Sequence, residues 1–195
     1  MFFSKSTYKF LIVGLGNMGP KYEGTRHNVG WAAIDCLADD LGVNISKLKF
    51  KSLTGEGKIG SDRVLLCKPL TYMNNSGEAV AEIIKFYKIP LENVIVFSDD
   101  ISLDVGRLRI RRNGSCGGHN GLRSIIDLCG GDNFPRIKIG VGAKPSPEYD
   151  LANWVLGKFG KEDSVKIADV SKLAADSAKT IVANGVDAAM NKFNK

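Results

Sequence analysis

The amino-acid sequence predicts an α/β fold, a single domain over residues 1–195 in which one twisted mixed β-sheet lies between helices as a three-layer arrangement. Three observations carry that reading. Short apolar runs rich in β-branched residues, FLIVGLG at 10–16 and NVIVFS at 93–98, have the length and composition of buried strands. Strand-like runs alternate with longer stretches whose apolar residues recur at helical spacing. At 195 residues the chain supports one hydrophobic core more readily than two.

The first strand is followed by WAAIDCLADDLG, a helix stopped by Gly42. An edge hairpin is expected around residues 50–62. RVLLCKP reads as a strand ended by Pro69, and SGEAVAEIIKFYKIP as a helix for which Ser76 offers a cap. NVIVFS ends directly at Asp99 and Asp100. The alternation in RLRIR indicates a half-exposed strand, GLRSIIDLCG a helix, IKIGVG another strand and KPSPEYD a loop. From about Lys161 the spacing in IADVSKLAADSAKTIVANG is helical again.

Hydrophobic residues at 44% and charged residues at 25% are ordinary for a soluble globular protein. The stretch MFFSKSTYKF leads into an apolar run broken at Gly14, too short for a signal peptide or a membrane span, so a cytoplasmic protein is expected. Cys36, Cys67, Cys116 and Cys129 form no CxxC pair, and with two histidines they make no zinc framework, so neither metal nor disulfide is implied. The net charge is +6, and Arg107, Arg109, Arg111 and Arg112 fall within six positions. That density suits attraction of a polyanion such as RNA, or the protection of a solvated edge strand.

GLGNMG at 14–19 satisfies the spacing of a dinucleotide fingerprint after a strand. A working fingerprint opens a helix at its last glycine, whereas Gly19 meets Pro20 and the loop PKYEGTR. A tight turn presenting Asn17 is the better reading. Other polar residues fall at similar places: Asn74 after the strand through Cys67, Asp99 at the end of the next, His119 and Asn120 after the arginine strand, and His27 before a helix. Loops from the carboxyl ends of strands converge in open α/β sheets, so these residues can share one cleft.

There, an aspartate can fix the tautomer of a histidine that takes a proton from water, and asparagines can donate to a carbonyl or its oxyanion. Such a set without metal ligands suits hydrolysis of an activated acyl compound such as an ester. Each residue also has a plain structural role open to it. His27 can bond backbone at a helix start, His119 can orient its loop, Asp99 can cap a turn, and the asparagines can serve tight turns. Tyr72 and Met73 suit a core as well as a pocket wall. Cys116, three residues before His119, invites a thiol nucleophile but has no acylation signature around it. An RNA-binding module without catalysis would retain the arginine strand and leave the polar convergence unexplained.

The strings VGLGNMGPKYEGTRHNVG, KPLTYMNNSG, FSDD followed by GRLRIRRNGSCGGHNGL, and ANWVLGKF resemble, in order and over essentially the whole chain, the bacterial peptidyl-tRNA hydrolase family. The resemblance implies cleavage of the ester joining a peptide to the 3′ ribose of tRNA by a monomeric enzyme with a mixed sheet and no metal or cofactor. The family's catalytic histidine matches His27 and its supporting aspartate Asp99. Its cleft asparagines match Asn17, Asn74 and Asn120, with Tyr22 and Met73 lining the groove and His119 in substrate contact or positioning. The implied partner is peptidyl-tRNA, engaged through its acceptor stem and 3′ end, with no membrane and no obligate protein partner. Arg107, Arg109, Arg111 and Arg112 would attract phosphate, and Arg136 and Lys144 would extend that surface. Two positions depart from the family pattern: Met18 replaces the proline of the GLGNPG turn, and Ser98 stands where a histidine often precedes the aspartate.

Overall fold

A computed structural model describes residues 8–194; the stretch before Tyr8 lies outside it, and with it most of the amino-terminal segment considered above. In chain order the elements are β1 (Phe10–Gly14), α1 (Val29–Leu41), β2 (Lys47–Lys49), β3 (Ser52–Ile59), β4 (Asp62–Pro69), α2 (Ser76–Tyr87), β5 (Val94–Asp100), β6 (Leu108–Arg111), α3 (Asn120–Cys129), β7 (Arg136–Gly140), α4 (Leu151–Val155), α5 (Lys161–Asn184) and α6 (Val186–Phe193). The seven strands form one sheet in the order β2-β3-β4-β1-β5-β7-β6. Its centre, β4, β1, β5 and β7, is parallel, and both edges are antiparallel.

Strand geometry sends successive side chains to opposite faces. Ile12, Ile95, Phe97 and Ile139 accordingly pack with Ile34 and Leu37 of α1 and with Ala174, Ala178 and Ile181 of α5. Leu11, Val13 and Val96 face the other way, onto Val80 and Ile83 of α2 and Ile125 of α3. A sheet covered on both faces is why its central strands read as continuous apolar runs. The expected three layers are present. Among the described residues no helix is long and apolar enough to cross a membrane.

From β1 the chain passes through α1 toward β4 on one side, whereas β5 flanks β1 on the other. The carboxyl ends of β1 and β5 therefore lie side by side where the strand order reverses, the usual place for a ligand cleft. Two glycines set the depth of this junction. A Cβ on Gly14 would stand 2.5 Å from the Gly30 carbonyl oxygen, and one on Gly30 would stand 2.5 Å from that of Leu15. Helix α1 thus seats directly on the end of β1, and the single turn Arg26–Asn28 that precedes it reaches the end of β5.

Two local expectations are corrected and one element is added. The hairpin region extends further, because β2 and β3 join through Phe50 and Lys51, both left-handed at φ 52° and 53°, and β3 returns as β4. Such two-residue turns normally carry Asn or Gly, so Phe-Lys gave no turn signal. Ser76 is the first residue of α2 rather than its cap, and its hydroxyl donates back to the Met73 carbonyl at 2.8 Å. Finally, the segment after KPSPEYD forms the short helix α4, held at its start by Asp150, whose carboxylate accepts from the Asn153 amide at 2.7 Å.

Candidate active site

The loop ends gather around a cleft of about 920 Å³ whose lining includes Asn17, Tyr22, His27, Met73, Asn74, Asp99, His119 and Asn120. Every catalytic and positioning residue expected from the sequence is thus in one place. The six cations expected to bind phosphate do not line it.

At the floor lies Asp99, the next-to-last residue of β5, its side chain only 3% exposed. One carboxylate oxygen, Oδ1, sits 2.8 Å from Nδ1 of His27 and 2.8 Å from Nε2 of His119. Burial alone would raise the Asp99 carboxyl; the two imidazoles, His119 first, outweigh it and hold the group far below the usual carboxylate range. Asp99 is an anion, and both rings donate to it.

The proton positions follow from the backbone. His119 caps α3, its Nδ1 accepting from the Leu122 amide at 3.3 Å. A neutral ring with an acceptor at Nδ1 carries its proton on Nε2, the nitrogen facing Asp99. His27 likewise gives its Nδ1 proton to Asp99, which leaves its Nε2 with no partner among the described residues and an unshared lone pair. His27 is therefore the ring able to accept a proton, and His119 is committed on both sides.

That arrangement also bears on metals. His27, Asp99 and His119 form the one such group among the described residues, their ligand atoms within 4.8 Å of one another. Ligation through His119 Nε2 would move its proton onto Nδ1, against the Leu122 N–H. The three side chains are built as a chain of hydrogen bonds. Cys116 also lines the cleft, its thiol lowered by the Gly118 amide and by Arg123, yet neither nitrogen of His119 is free to act as its base.

The asparagines divide into two kinds. Asn17 is 6% exposed, and its Oδ1 accepts from the Met73 amide at 2.7 Å. Asn28, adjacent to His27, locks the Asn17 backbone from both sides at 2.9 Å. The Asn17 oxygen is thus committed, and its NH2 group is what can serve a ligand. Asn74 and Asn120 are exposed to the cleft and make no side-chain bond among the described residues. Asn120 opens α3, where the helix dipole favours negative charge.

Met73 reaches Asn17 through a strained neighbour. Tyr72 has φ 58° and ψ 163°, a conformation close to glycine-only, at a cost of roughly 1–3 kcal/mol. It is 52% exposed, against a core role, and its ring meets Tyr22 edge-on at 6.4 Å along the cleft. Met73 is both core and wall: it is 3% exposed, and a Cβ on Gly121 would meet its sulfur at 2.6 Å.

A family model described as Peptidyl-tRNA hydrolase matches residues 11–195. The chain belongs to the peptidyl-tRNA hydrolase family. It is 53% identical over 185 residues to the peptidyl-tRNA hydrolase of Thermoanaerobacter sp. (strain X514), covering 95% of this chain and 99% of that one. The corresponding protein of Clostridium novyi (strain NT) is 54% identical over 95% of this chain and 97% of its own. Among solved structures, the peptidyl-tRNA hydrolase of Acinetobacter baumannii superposes with a TM-score of 0.90 at 38% identity, over 97% of both chains.

Within the chain the expected cations separate. On β6, Leu108 and Ile110 point inward while Arg109 and Arg111 are exposed, and Arg107 is exposed just before the strand. Arg112 pairs with Asp187 of α6. Arg136 corrects the expectation: it is 1% exposed, with donors on the carbonyls of Gly114, Ser115, Phe134 and Asp132. It tethers the glycine loop before His119 and presents nothing to solvent. Lys144 is tied to its own loop through the carbonyls of Pro147 and Tyr149. Ser98 is fully buried with a hydroxyl that finds no partner among the described residues, and Met18 is exposed on its turn.

Sequence reasoning missed two parts of the cleft. Lys138 pairs with Asp100 at 2.9 Å at its margin, and Leu151, Ala152, Val155 and Leu156 form an apolar wall from α4 and its end. The signal for the wall was present in ANWVLGKF, where apolar residues recur at helical spacing over too few residues to stand out.

Proposed function

We propose that this chain hydrolyses the ester joining a peptide, or an N-blocked aminoacyl group, to the 3′ ribose of tRNA, with His27 as general base and Asp99 as its orienting anion. The observation that carries the reading is the His27–Asp99 bond at 2.8 Å, which leaves Nε2 of His27 free over the cleft. Family membership supplies the substrate class.

In this mechanism Nε2 takes a proton from water as its oxygen attacks the ester carbonyl. Asp99 stabilises the imidazolium that forms. The oxyanion develops beside the NH2 groups of Asn74 and Asn120, with the amino-terminal end of α3 adding its dipole. Collapse of the tetrahedral intermediate expels the ribose oxygen, which recovers the proton from Nε2. A ribose oxygen leaves more readily than the unprotonated nitrogen of an amide, so base catalysis of about 10²- to 10⁴-fold on top of positioning suffices. His119 donates to the same Asp99 oxygen as His27, and Asn17, Tyr22 and Met73 shape the floor and wall that receive the peptide or terminal nucleotide.

Exposed Arg107, Arg109 and Arg111 would attract the acceptor stem without reading its sequence. The residues 1–195 would act as one domain, monomeric and cytoplasmic, returning tRNA from peptidyl-tRNA released during translation. The test is release of N-acetyl-aminoacyl groups from tRNA, in the presence of chelator, by wild type and His27→Ala. Turnover that falls by at least two orders of magnitude in the variant, with tRNA affinity retained, supports the reading. A folded wild type that binds tRNA without cleaving it would leave an RNA-binding module instead.

A further inference from the structure

The segment ANWVLGKF and the arginine of TRHN serve no step of the mechanism above, yet they are joined. Arg26, next to His27, is 8% exposed and forms no ion pair within 4 Å among the described residues, Asp163 acting on it only at longer range. Its guanidinium carbon lies 3.6 Å from the centre of the Trp154 ring and 5.1 Å from that of Phe159. Its Nη1 donates to the Lys158 carbonyl at 3.1 Å and reaches that of Trp154 at 3.5 Å. The backbone repeats the link: the Arg26 amide donates to Gly157 at 3.0 Å, and Thr25 bridges to Lys158.

On the other side of the joint, Trp154 Nε1 donates to the Gly142 carbonyl at 2.9 Å, just beyond β7. The remaining faces of the same helical turn, Leu151, Ala152, Val155 and Leu156, look into the cleft. A buried cation is retained here between aromatic faces and helix-end carbonyls, a set that suits a planar guanidinium and not an ammonium.

We infer that Arg26 is a positioning residue that registers the α4 wall against His27, so that an acyl group resting on Leu151, Val155 and Leu156 places its ester carbonyl at Nε2. This rests on the hydrolase reading given above. Breaking the joint leaves tRNA binding in place and misplaces the carbonyl, so the loss falls mainly on kcat.

The test uses Arg26→Met, Arg26→Lys, Trp154→Ala, Trp154→Phe and the Arg26→Met/Trp154→Ala pair, assayed on N-acetyl-aminoacyl-tRNA below their melting temperatures. Arg26→Met and Trp154→Ala should each lose tenfold or more in kcat with KM changed less than threefold. The double variant should be no worse than the poorer single, Trp154→Phe should recover most of the rate, and Arg26→Lys should not. The chain has two tryptophans. In an amide and indole NMR spectrum Arg26→Met should displace the Trp154 indole signal and leave that of Trp31. Losses that multiply in the double variant, an Arg26→Met enzyme within twofold of wild type, or an unmoved indole signal would each overturn the inference. Should Arg26→Met not fold, Trp154→Ala against Trp154→Phe decides it. A wild type without turnover would sink the hydrolase reading, while the indole signal still reads the joint.

Discussion

The amide of Leu122 donates to Nδ1 of His119 at 3.3 Å, and that single bond commits one of the two histidines on both of its ring nitrogens. It fixes the His119 proton on Nε2, against Asp99, so the carboxylate oxygen is shared between two donors. Removing His119 would leave His27 as the only ring on Asp99. His119→Ala should therefore keep measurable turnover, about 10- to 100-fold below wild type, whereas His27→Ala should lose the larger general-base factor. Steady-state kinetics on both variants checks this; equal losses would make His119 a second proton carrier.

The Asp99 carboxyl is depressed in the folded state relative to an unfolded value near ~3.9. A depressed carboxyl contributes stability that is complete above the unfolded value and is lost as pH falls toward the folded one. Thermal unfolding followed from pH 6 down to pH 3 should then show wild type losing stability below about pH 4 more steeply than Asp99→Asn. Parallel curves for the two would show that this carboxylate contributes nothing to acid sensitivity.

Asn17 and Asn28 stabilise the cleft floor. Asn17→Ala leaves the buried Met73 N–H without an acceptor, and Asn28→Ala releases the Asn17 backbone on both sides. Each should cost about 1–3 kcal/mol in denaturant unfolding. In Asn17→Ala the strained Tyr72 also loses the contact that holds the following peptide, so its loss should be the larger.

The arginines should split by burial. Arg109→Ala and Arg111→Ala should each reduce the slope of log affinity for tRNA against log salt by about one, with little effect on stability. Arg136→Met should instead destabilise the fold on the order of 3 kcal/mol and leave the salt slope alone, because its donors all go to carbonyls of the chain. A salt slope altered by Arg136→Met would place that side chain on the RNA.

The contrast between Arg136 and Arg109 shows where sequence reading stops. Alternation in RLRIR placed Leu108 and Ile110 inward correctly, since period two is a property of the strand itself. Nothing local marks Arg136 as buried; its partners are carbonyls of residues 114, 115, 132 and 134, brought together only by the fold. His27, Asp99 and the asparagines were legible because strand ends in this architecture point to one cleft. The different roles expected of the two histidines came only from the family resemblance, because the Leu122 amide that engages His119 is invisible to residue patterning. Asn28 stood in the quoted GTRHNVG, but its role depends on a loop eleven residues away.

The side-chain amide of Asn194 exchanges two bonds with the backbone of Ile110, at 2.7 and 3.0 Å, imitating a neighbouring strand on the outer edge of β6. Without that carboxyl-terminal plug, the strand would offer an open template for a second copy, guarded only by repulsion between Arg109 and Arg111 on each. Screening removes such repulsion beyond about 8 Å at physiological ionic strength. A chain cut short before α6 would therefore stay dispersed in dilute buffer and self-associate as salt is added, the reverse of what the same arginines would do toward tRNA.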